Sequence, residues 1–395
     1  MPKKVMIGAI ILFSLIAEKV ECQKNKQLTD DLVAVNVTKT SYPKKDLILQ
    51  DFMDVEYIVL EANDDFVNEG LVMAVGKNMI IVKNRNSDGD IFIYDRKTGK
   101  ALKKINRKGE SGEEYIRISG VVLDEDNGEI FVNSYSQKKI FVYDLDGNFK
   151  RNFDHKDEAR YSEVFHFDRG NLICYDGRYS RKVNEPSFSI ISKQDGSITK
   201  DIFIPFKEKI FTSVRKTTDE KTGEYIAQFP SSDIPLIPYL DSWILFEASS
   251  DTIYRCFHDQ SIIPFLVRNP PVQSMNPEIF LFPQTLTSRY YFMEIVKKEW
   301  NWEINNGFPS TYLMYDKHEK AIFKYTVYNG DFTEKREVYM NIMPLNHEIA
   351  NWLPLEPFRL IADYKKGLLK GKLKEIAATL DEDDNPVIML IKHKK

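Results

Sequence analysis

Cysteine is scarce: 3 among 395 residues, and Cys22 falls at the end of a leader-like N-terminal stretch. The remaining two, Cys174 and Cys256, are too few to staple an exported chain of this length, so packing must hold it together. Each sits in an apolar, strand-like run, Leu172-Ile173-Cys174-Tyr175 and Ile253-Tyr254-Arg255-Cys256-Phe257, which reads as two buried free thiols rather than a bridge. An excess of basic charge is also missing. Against 55 Lys+Arg stand 59 Asp+Glu, a net charge of −4 with a pI near 6.0, which argues against a nucleic-acid partner. No apolar run reaches the ~20 residues of a membrane span. Tryptophan is rare at 4, whereas 20 Tyr and 25 Phe lean the chain toward strands. With 43% hydrophobic and 29% charged residues the chain is globular.

Catalytic and cofactor motifs are missing as well. In an EF-hand loop a Gly stands at the sixth position and a Glu at the twelfth. The run from Asp144 has Phe149 and His155 there, and the run from Asp124 has Glu129 and Tyr135, so both read as hairpin turns. Gly109-Glu110-Ser111-Gly112 lacks the Gly-x-Ser-x-Gly spacing of a nucleophile elbow, leaving Ser111 a loop residue. His155, His166, His258, His318, His347 and His393 show no zinc-ligand spacing. A metal site assembled by the fold stays open. No phosphate-binding glycine loop occurs. The sequence therefore assigns no catalytic residue, no metal ligand and no cofactor.

Met1 to Cys22 reads as an export signal. Lys3 and Lys4 precede thirteen apolar-rich residues, Val5 to Ala17, too short to span a bilayer and right for a signal peptide. Cys22 stands where a bacterial lipoprotein carries its acylated cysteine, but Glu21 occupies the position where such signals place a small residue. Lipidation at Cys22 and plain cleavage near Ala17 or after Cys22 are both open. Residues 23–44 read as a linker and 45–395 as one domain.

Self-similarity carries the fold. Ile91-Phe92-Ile93-Tyr94-Asp95 with Gly99, Ile140-Phe141-Val142-Tyr143-Asp144 with Gly147, and Phe188-Ser189-Ile190-Ile191-Ser192 with Gly196 align, their glycines 48 and 49 residues apart. Each is a strand, a glycine turn and a second strand. Ile118 to Leu123 and Glu129 to Asn133 add two strands before the second hairpin. Four antiparallel strands per 40 to 50 residues is the period of a β-propeller blade. Trp243 to Val267 and Tyr290 to Tyr328 continue the pattern, with a looser insertion over Pro205 to Asp241. Val387 to Ile391 and Val55 to Leu60 each lack a neighbour in sequence. Pairing them in one blade closes a ring and removes both exposed edges. The expectation is an all-β, six-bladed propeller of four-stranded antiparallel blades, with five blades as the competing count. Leu360 to Leu380 reads as one short C-terminal helix packed outside the ring, its apolar residues Ile361, Tyr364, Leu368, Ile376 and Leu380 opposite many lysines.

The order Gly109-Glu110-Ser111-Gly112-Glu113-Glu114-Tyr115, Val121-Val122-Leu123-Asp124, Ile130 to Ser134 and Lys139 to Gly147 resembles an NHL-type propeller repeat. Val55 to Glu61, Ser250-Asp251-Thr252-Ile253-Tyr254, Ser288-Arg289-Tyr290 and Asp384-Asn385-Pro386-Val387 extend the likeness. Over roughly residues 45 to 393 the chain resembles six-bladed propeller proteins, often lipoproteins, exported by bacteria with Gram-negative envelopes. The resemblance implies the fold and a place in the periplasm, outer membrane or cell surface, and brings no shared activity.

The most suggestive surface feature is Lys298-Glu299-Trp300-Asn301-Trp302-Glu303. Trp300 and Trp302 would share one side of a strand and can stack on sugar rings or anchor a peptide, although a hairpin tip capping a blade explains them too. Arg289 and Tyr290 are a second binding candidate. The expected function is a non-catalytic, monomeric envelope protein binding a glycan, a peptide or another envelope protein at a propeller face or channel mouth. It would meet the membrane only through a lipid on Cys22. A hydrolase or lyase with a site assembled at the channel is the alternative, and the discriminator is whether polar residues of several blades converge on the axis.

Overall fold

The computed structural model describes residues 32–178 and 180–394. The leader, Cys22 and the first part of the 23–44 stretch lie outside the described residues. Six sheets are arranged as blades of a propeller. Blade 1 holds Leu71–Val75, Met79–Lys83, Asp90–Asp95 and Ala101–Asn106. Blade 2 holds Gly120–Asp124, Glu129–Ser134, Lys139–Asp144 and Phe149–Asp154. Blade 3 holds Tyr161–His166, Asn171–Asp176, Phe188–Ser192 and Ile198–Ile202. Blades 4 and 5 use Leu236–Tyr239, Ser242–Leu245, Thr252–Phe257 and Ile262–Asn269, then Ile279–Leu286, Tyr290–Lys297, Ser310–Asp316 and Ala321–Tyr328. The middle strands are buried on both faces, as in Glu129–Ser134, because each sheet is sandwiched between its neighbours.

Blade 6 closes the ring as the sequence suggests. Val387–His393 pairs on one side with Ile349–Leu355 and on the other, antiparallel, with the N-terminal strand Met53–Val59 in an unbroken register from Val387 opposite Val59 to His393 opposite Met53. The place next to the axis is taken by the irregular stretch 338–345. Thr285 donates to the Met340 carbonyl (3.1 Å), Ile342 donates to Gln284 Oε1 (3.1 Å), and Asn351 Nδ2 donates to the Asn341 carbonyl (2.6 Å). Pro344 lacks an N–H for a ladder, so side-chain amides substitute for one.

Two sequence expectations need refinement. Residues 33–36 are not linker: Val33–Asn36 adds a parallel fifth strand to blade 4, and Lys44–Ile48 does the same to blade 5. The N-terminal segment thus straps the outer edges of blades 4 and 5 before entering blade 6. The single C-terminal helix is two, Pro357–Lys365 and Gly371–Ala377. Gly367 at φ +70° ends the first, its N–H reaching the Tyr364 carbonyl and the Leu368 N–H the Asp363 carbonyl, both at 2.9 Å. Both helices pack outside the ring, burying Leu360, Leu373 and Ile376 against Tyr57, Val59 and Leu355.

The repeated glycines prove to be the joints between blades. At Gly99, Gly147 and Gly196 φ is +70°, +83° and +70°, and each turn is overlain by the outer strand of the preceding blade. A Cβ would lie 1.7 Å from the Val59 carbonyl oxygen at Gly99, 2.9 Å from the Ile105 side chain at Gly147 and 2.4 Å from the Phe153 ring at Gly196. Gly128 has a similar φ, +62°, but open space around it. Gly99→Ala is therefore expected to cost about 2–4 kcal/mol and Gly128→Ala about 1 kcal/mol, as read from urea unfolding midpoints. Equal losses would mean that the joint contact contributes nothing.

Candidate functional site

Because the strands of a blade alternate in direction, the links between second and third strands and the links from blade to blade all leave on one face. Every sizeable elaboration among the described residues is there: the loop over 180–187, the hairpin of Val214–Asp219 and Glu224–Gln228, the hairpin carrying Trp300–Asn301 and Asn306–Gly307, and the helical insertion of blade 6. At the centre runs a channel. Its middle, about 440 Å³, is walled by all six blades, among them Val72, Val121, Glu163, Ile234, Gln284 and Leu345. Towards the elaborated face it meets a chamber of about 350 Å³, with Ser162 and Glu163 in the walls of both.

Glu163 reaches this position through a bulge. The pairing of Tyr161–His166 with its neighbour slips between Tyr161 and Glu163. Tyr161 and Val164, three residues apart, consequently pack into the same apolar cluster, which a regular period-two strand would forbid, and Ser162 and Glu163 are both left at the channel. The Glu163 side chain makes no hydrogen bond or ion pair among the described residues, and burial alone pushes its carboxyl up to about 7.

Around the chamber the charges sort into two groups. Glu247 is fully buried and neutralised: Arg181, itself fully buried, pairs with one oxygen, and Lys209 (2.6 Å) and Ser249 Oγ (2.9 Å) donate to the other. Burial opposes ionisation of Glu247, but these two cations hold its pKa below the usual range. Asp233 accepts from Thr212 Oγ1 at 2.7 Å, and burial raises its pKa. The Ser213 hydroxyl, in a side chain 5% exposed, is buried without a partner in the chamber wall. Polar groups of blades 3 and 4 and of the insertion between them do converge near the axis.

The sequence-designated pairs fall at opposite ends of the blade 5 strand Tyr290–Lys297, and the structure does not bring them together. Trp300 and Trp302 sit on the elaborated face. Only Trp300–Asn301 is strand, and Trp302 is in the turn, yet the rings remain adjacent, with centroids 6.1 Å apart at 59°. Trp300 also packs on Phe308 at 5.4 Å. They border an open cleft of about 920 Å³ with Asn301, Glu303, Asn306 and, from the other hairpin, Lys216. Arg289 and Tyr290 serve the blade itself. Arg289 pairs with Asp316 at 3.2 Å and lies 4.8 Å over the Tyr290 ring, and Tyr290 is 4% exposed. Burial works to raise Asp316, but bonds from Lys45, Arg289 and two backbone amides hold it at about 2.

The chamber groups escape sequence reasoning because they are separated in the chain: Arg181 and Glu247 are 66 residues apart. The one local hint is a carboxylate inside the otherwise strand-like Tyr161-Ser162-Glu163-Val164-Phe165. Cys174 and Cys256 are free and buried, as read from the sequence. Among the described residues no three His, Cys, Asp or Glu side chains stand close enough to share a metal ion, and no helix is long and apolar enough to cross a membrane.

Histidines gather at the opposite mouth of the channel. His166 and His347 line it, His347 packs edge-on against Trp243 (centroids 4.6 Å), and His258 lies 5.5 Å beyond. Asp124 and Lys193, both 2% exposed, form a buried pair at 2.6 Å, and His166 Nδ1 is 2.9 Å from the same ammonium. Burial pulls His347, with help from the charge of neighbouring histidines, and His393 down to about 4, and burial does the same to His155 in blade 2. All three are neutral in the folded protein at pH 7. The unfolded chain takes up their protons near pH 6.5, so the stability held above that pH is lost as pH falls toward 4. His347→Phe, which keeps a ring against Trp243, is expected to lessen the fall in melting temperature between pH 7 and pH 4.5. An unchanged slope would mean that His347 is already protonated when folded.

Among functionally curated proteins none matches this chain in sequence. Solved structures are similar in fold. An exported-protein candidate of Bacteroides fragilis superposes with a TM-score of 0.60 at 16% identity, covering 92% of this chain and 100% of the other. A member of the DUF4221 family from Bacteroides vulgatus gives 0.41 at 10% identity over 88% and 99%. A streptogramin B lyase gives 0.32 at 12% identity over 71% and 93%. The last two superpose too loosely to carry an argument. A family model matches residues 32–392, and by that match the chain belongs to DUF4934, a domain of unknown function.

Proposed function

We propose that this is an exported, non-catalytic binding protein of a bacterial cell envelope, which holds a glycan on the elaborated face of its propeller. The observation that carries the reading is the concentration of partly exposed aromatic and apolar groups on the two hairpins of that face. Tyr225 and Ile226, with Phe229 just beyond them, on one hairpin and Ile304 on the other are each about half exposed or more, and Lys216 of the first hairpin borders the same cleft as the half-buried Trp300 and Trp302. Large apolar side chains left in water beside a concave surface mark a contact site. Paired indoles flanked by Asn301, Asn306, Glu299 and Glu303 supply flat faces for sugar rings and acceptors and donors for hydroxyls. Export rests on the leader-like N-terminus and agrees with the exported-protein candidate that shares the fold.

A hydrolase or lyase working in the channel is the second reading, favoured by Glu163 with its raised pKa near the ionised Glu247. Glu247 is a poor base, because Arg181, Lys209 and Ser249 occupy both of its oxygens. That leaves binding as the better account.

Titrating the protein with neutral oligosaccharides of hexoses and N-acetylhexosamines while following tryptophan fluorescence tests it. A saturable change is expected, and the double variant Trp300→Ala/Trp302→Ala should bind at least about tenfold more weakly, the loss of ~1.4 kcal/mol of stacking. Undiminished binding by the folded double variant would remove the tryptophans from the site. A flat response across the panel would overturn the glycan assignment.

A further inference from the structure

The channel chamber presents a different chemistry from the aromatic cleft. We propose that it is a binding site for a ligand's ammonium group, carried by a small amine or by a free peptide N-terminus, held between the carboxylates of Glu163 and Asp233. The argument is one of unbalanced charge in a space of defined size. The titratable side chains lining the chamber are Tyr135, Glu163, Tyr175, Arg178, Lys209 and Asp233, together with Glu247. Every cation among them is already committed: Lys209 to Glu247 at 2.6 Å, and Arg178 to Asp176 at 2.7 Å and Glu185 at 3.3 Å. Buried Arg181, behind the wall, is also spent on Glu247.

Glu163 is left with no partner among the described residues, and Asp233 with one hydroxyl. A carboxylate deep in protein without a counter-charge is costly. A group that brings positive charge and several N–H donors relieves that cost, whereas an anion would add to it. An ammonium has three donors, and two carboxyls and the Ser213 hydroxyl stand ready to accept. Ser213 is an independent sign of a missing ligand, since its Oγ is buried in the chamber wall with no hydrogen bond. About 350 Å³ admits a small amine or the first residue of a peptide. The middle of the channel beyond Glu163 is lined by uncharged side chains, so the acidic end stops the ligand at that depth.

Proton linkage gives the site a signature. With its carboxyl near pH 7, Glu163 is partly protonated when empty, and an ammonium binds the ionised form. Binding therefore releases a proton from Glu163: affinity for an aliphatic amine, which stays charged, rises as pH increases from 6 to 8, whereas a peptide α-amine loses its own proton near pH 8, so its rise falls mainly between pH 6 and 7.

Isothermal calorimetry at pH 6, 7 and 8 with putrescine, glycylglycine and N-acetylglycylglycine tests the proposal. A free-amine probe should bind, more tightly at pH 8 than at pH 6, and the acetylated dipeptide should not. Putrescine alone giving heat would identify a small amine as the ligand, and glycylglycine alone a peptide terminus. Glu163→Gln, which mimics the protonated side chain and should keep the wild-type melting temperature, is expected to weaken binding at least tenfold and abolish the pH dependence. Asp233→Asn should weaken it as well. The site is wrong if no amine binds at millimolar concentration at pH 8, if the acetylated peptide binds equally, or if Glu163→Gln binds like wild type. Trp300→Ala/Trp302→Ala should leave amine binding intact, so the two sites fail separately.

Discussion

The pairing of Met53–Val59 with Val387–His393 holds the two ends of the chain in one blade, and the rest of the architecture depends on it. A propeller without closure has two open edges and blades that cannot bury their outer faces. Here the seam is fastened three times. Beside the ladder, Asn385, 2% exposed, donates to the carbonyls of Glu61 (2.9 Å) and Phe66 (2.7 Å) and accepts from the Asn68 N–H (2.9 Å). Arg96 of blade 1 bridges Glu56 and Glu348, each at 3.0 Å, with Lys392 on Glu56 at 2.8 Å. The Val59 carbonyl presses on Gly99, so the N-terminal strand also forms the joint to blade 1.

Closure fixes the channel, and the channel fixes the chemistry. Inner segments of all six blades line one channel space, and the bulge in Tyr161–His166 turns Glu163 into it. The two mouths then differ in kind. One is framed by hairpins, loops and an uncompensated carboxyl, the other by short turns, a buried Asp124–Lys193 pair and a group of histidines. The asymmetry follows from topology, because insertions lengthen only the links on one face.

Much of the fold was legible in the sequence. Glycines 48 and 49 residues apart announced the repeat, and two orphan strands announced the closure. What stayed hidden was non-local. The strap Val33–Asn36 forms parallel pairs with Ile262–Asn269, more than 200 residues away, and has no hairpin to betray it. Residues 338–345 take a blade position with side-chain amides in place of a ladder, so strand periodicity passes over them. Leu360 to Leu380 carries a helical apolar pattern, yet Gly367 at φ +70° divides it into two helices. Of the candidate site, the tryptophans were visible as a local cluster, whereas Arg289 and Tyr290 looked like a surface feature and are tied into blade 5. The chamber was invisible because its members come from separate blades and loops, and the meaning of Glu163 depends on a one-residue bulge.

Native-state hydrogen exchange read by mass spectrometry tests the central claim, that the N-terminal strand is an integral part of the ring. Amides of Met53–Val59 are expected to exchange only with global opening, at the same free energy as those of Met79–Lys83 and Glu129–Ser134 in blades 1 and 2. Exchange of Met53–Val59 at a free energy lower by about 2 kcal/mol or more, with the other blades still protected, would show that the ring stays shut without it and contradict the account.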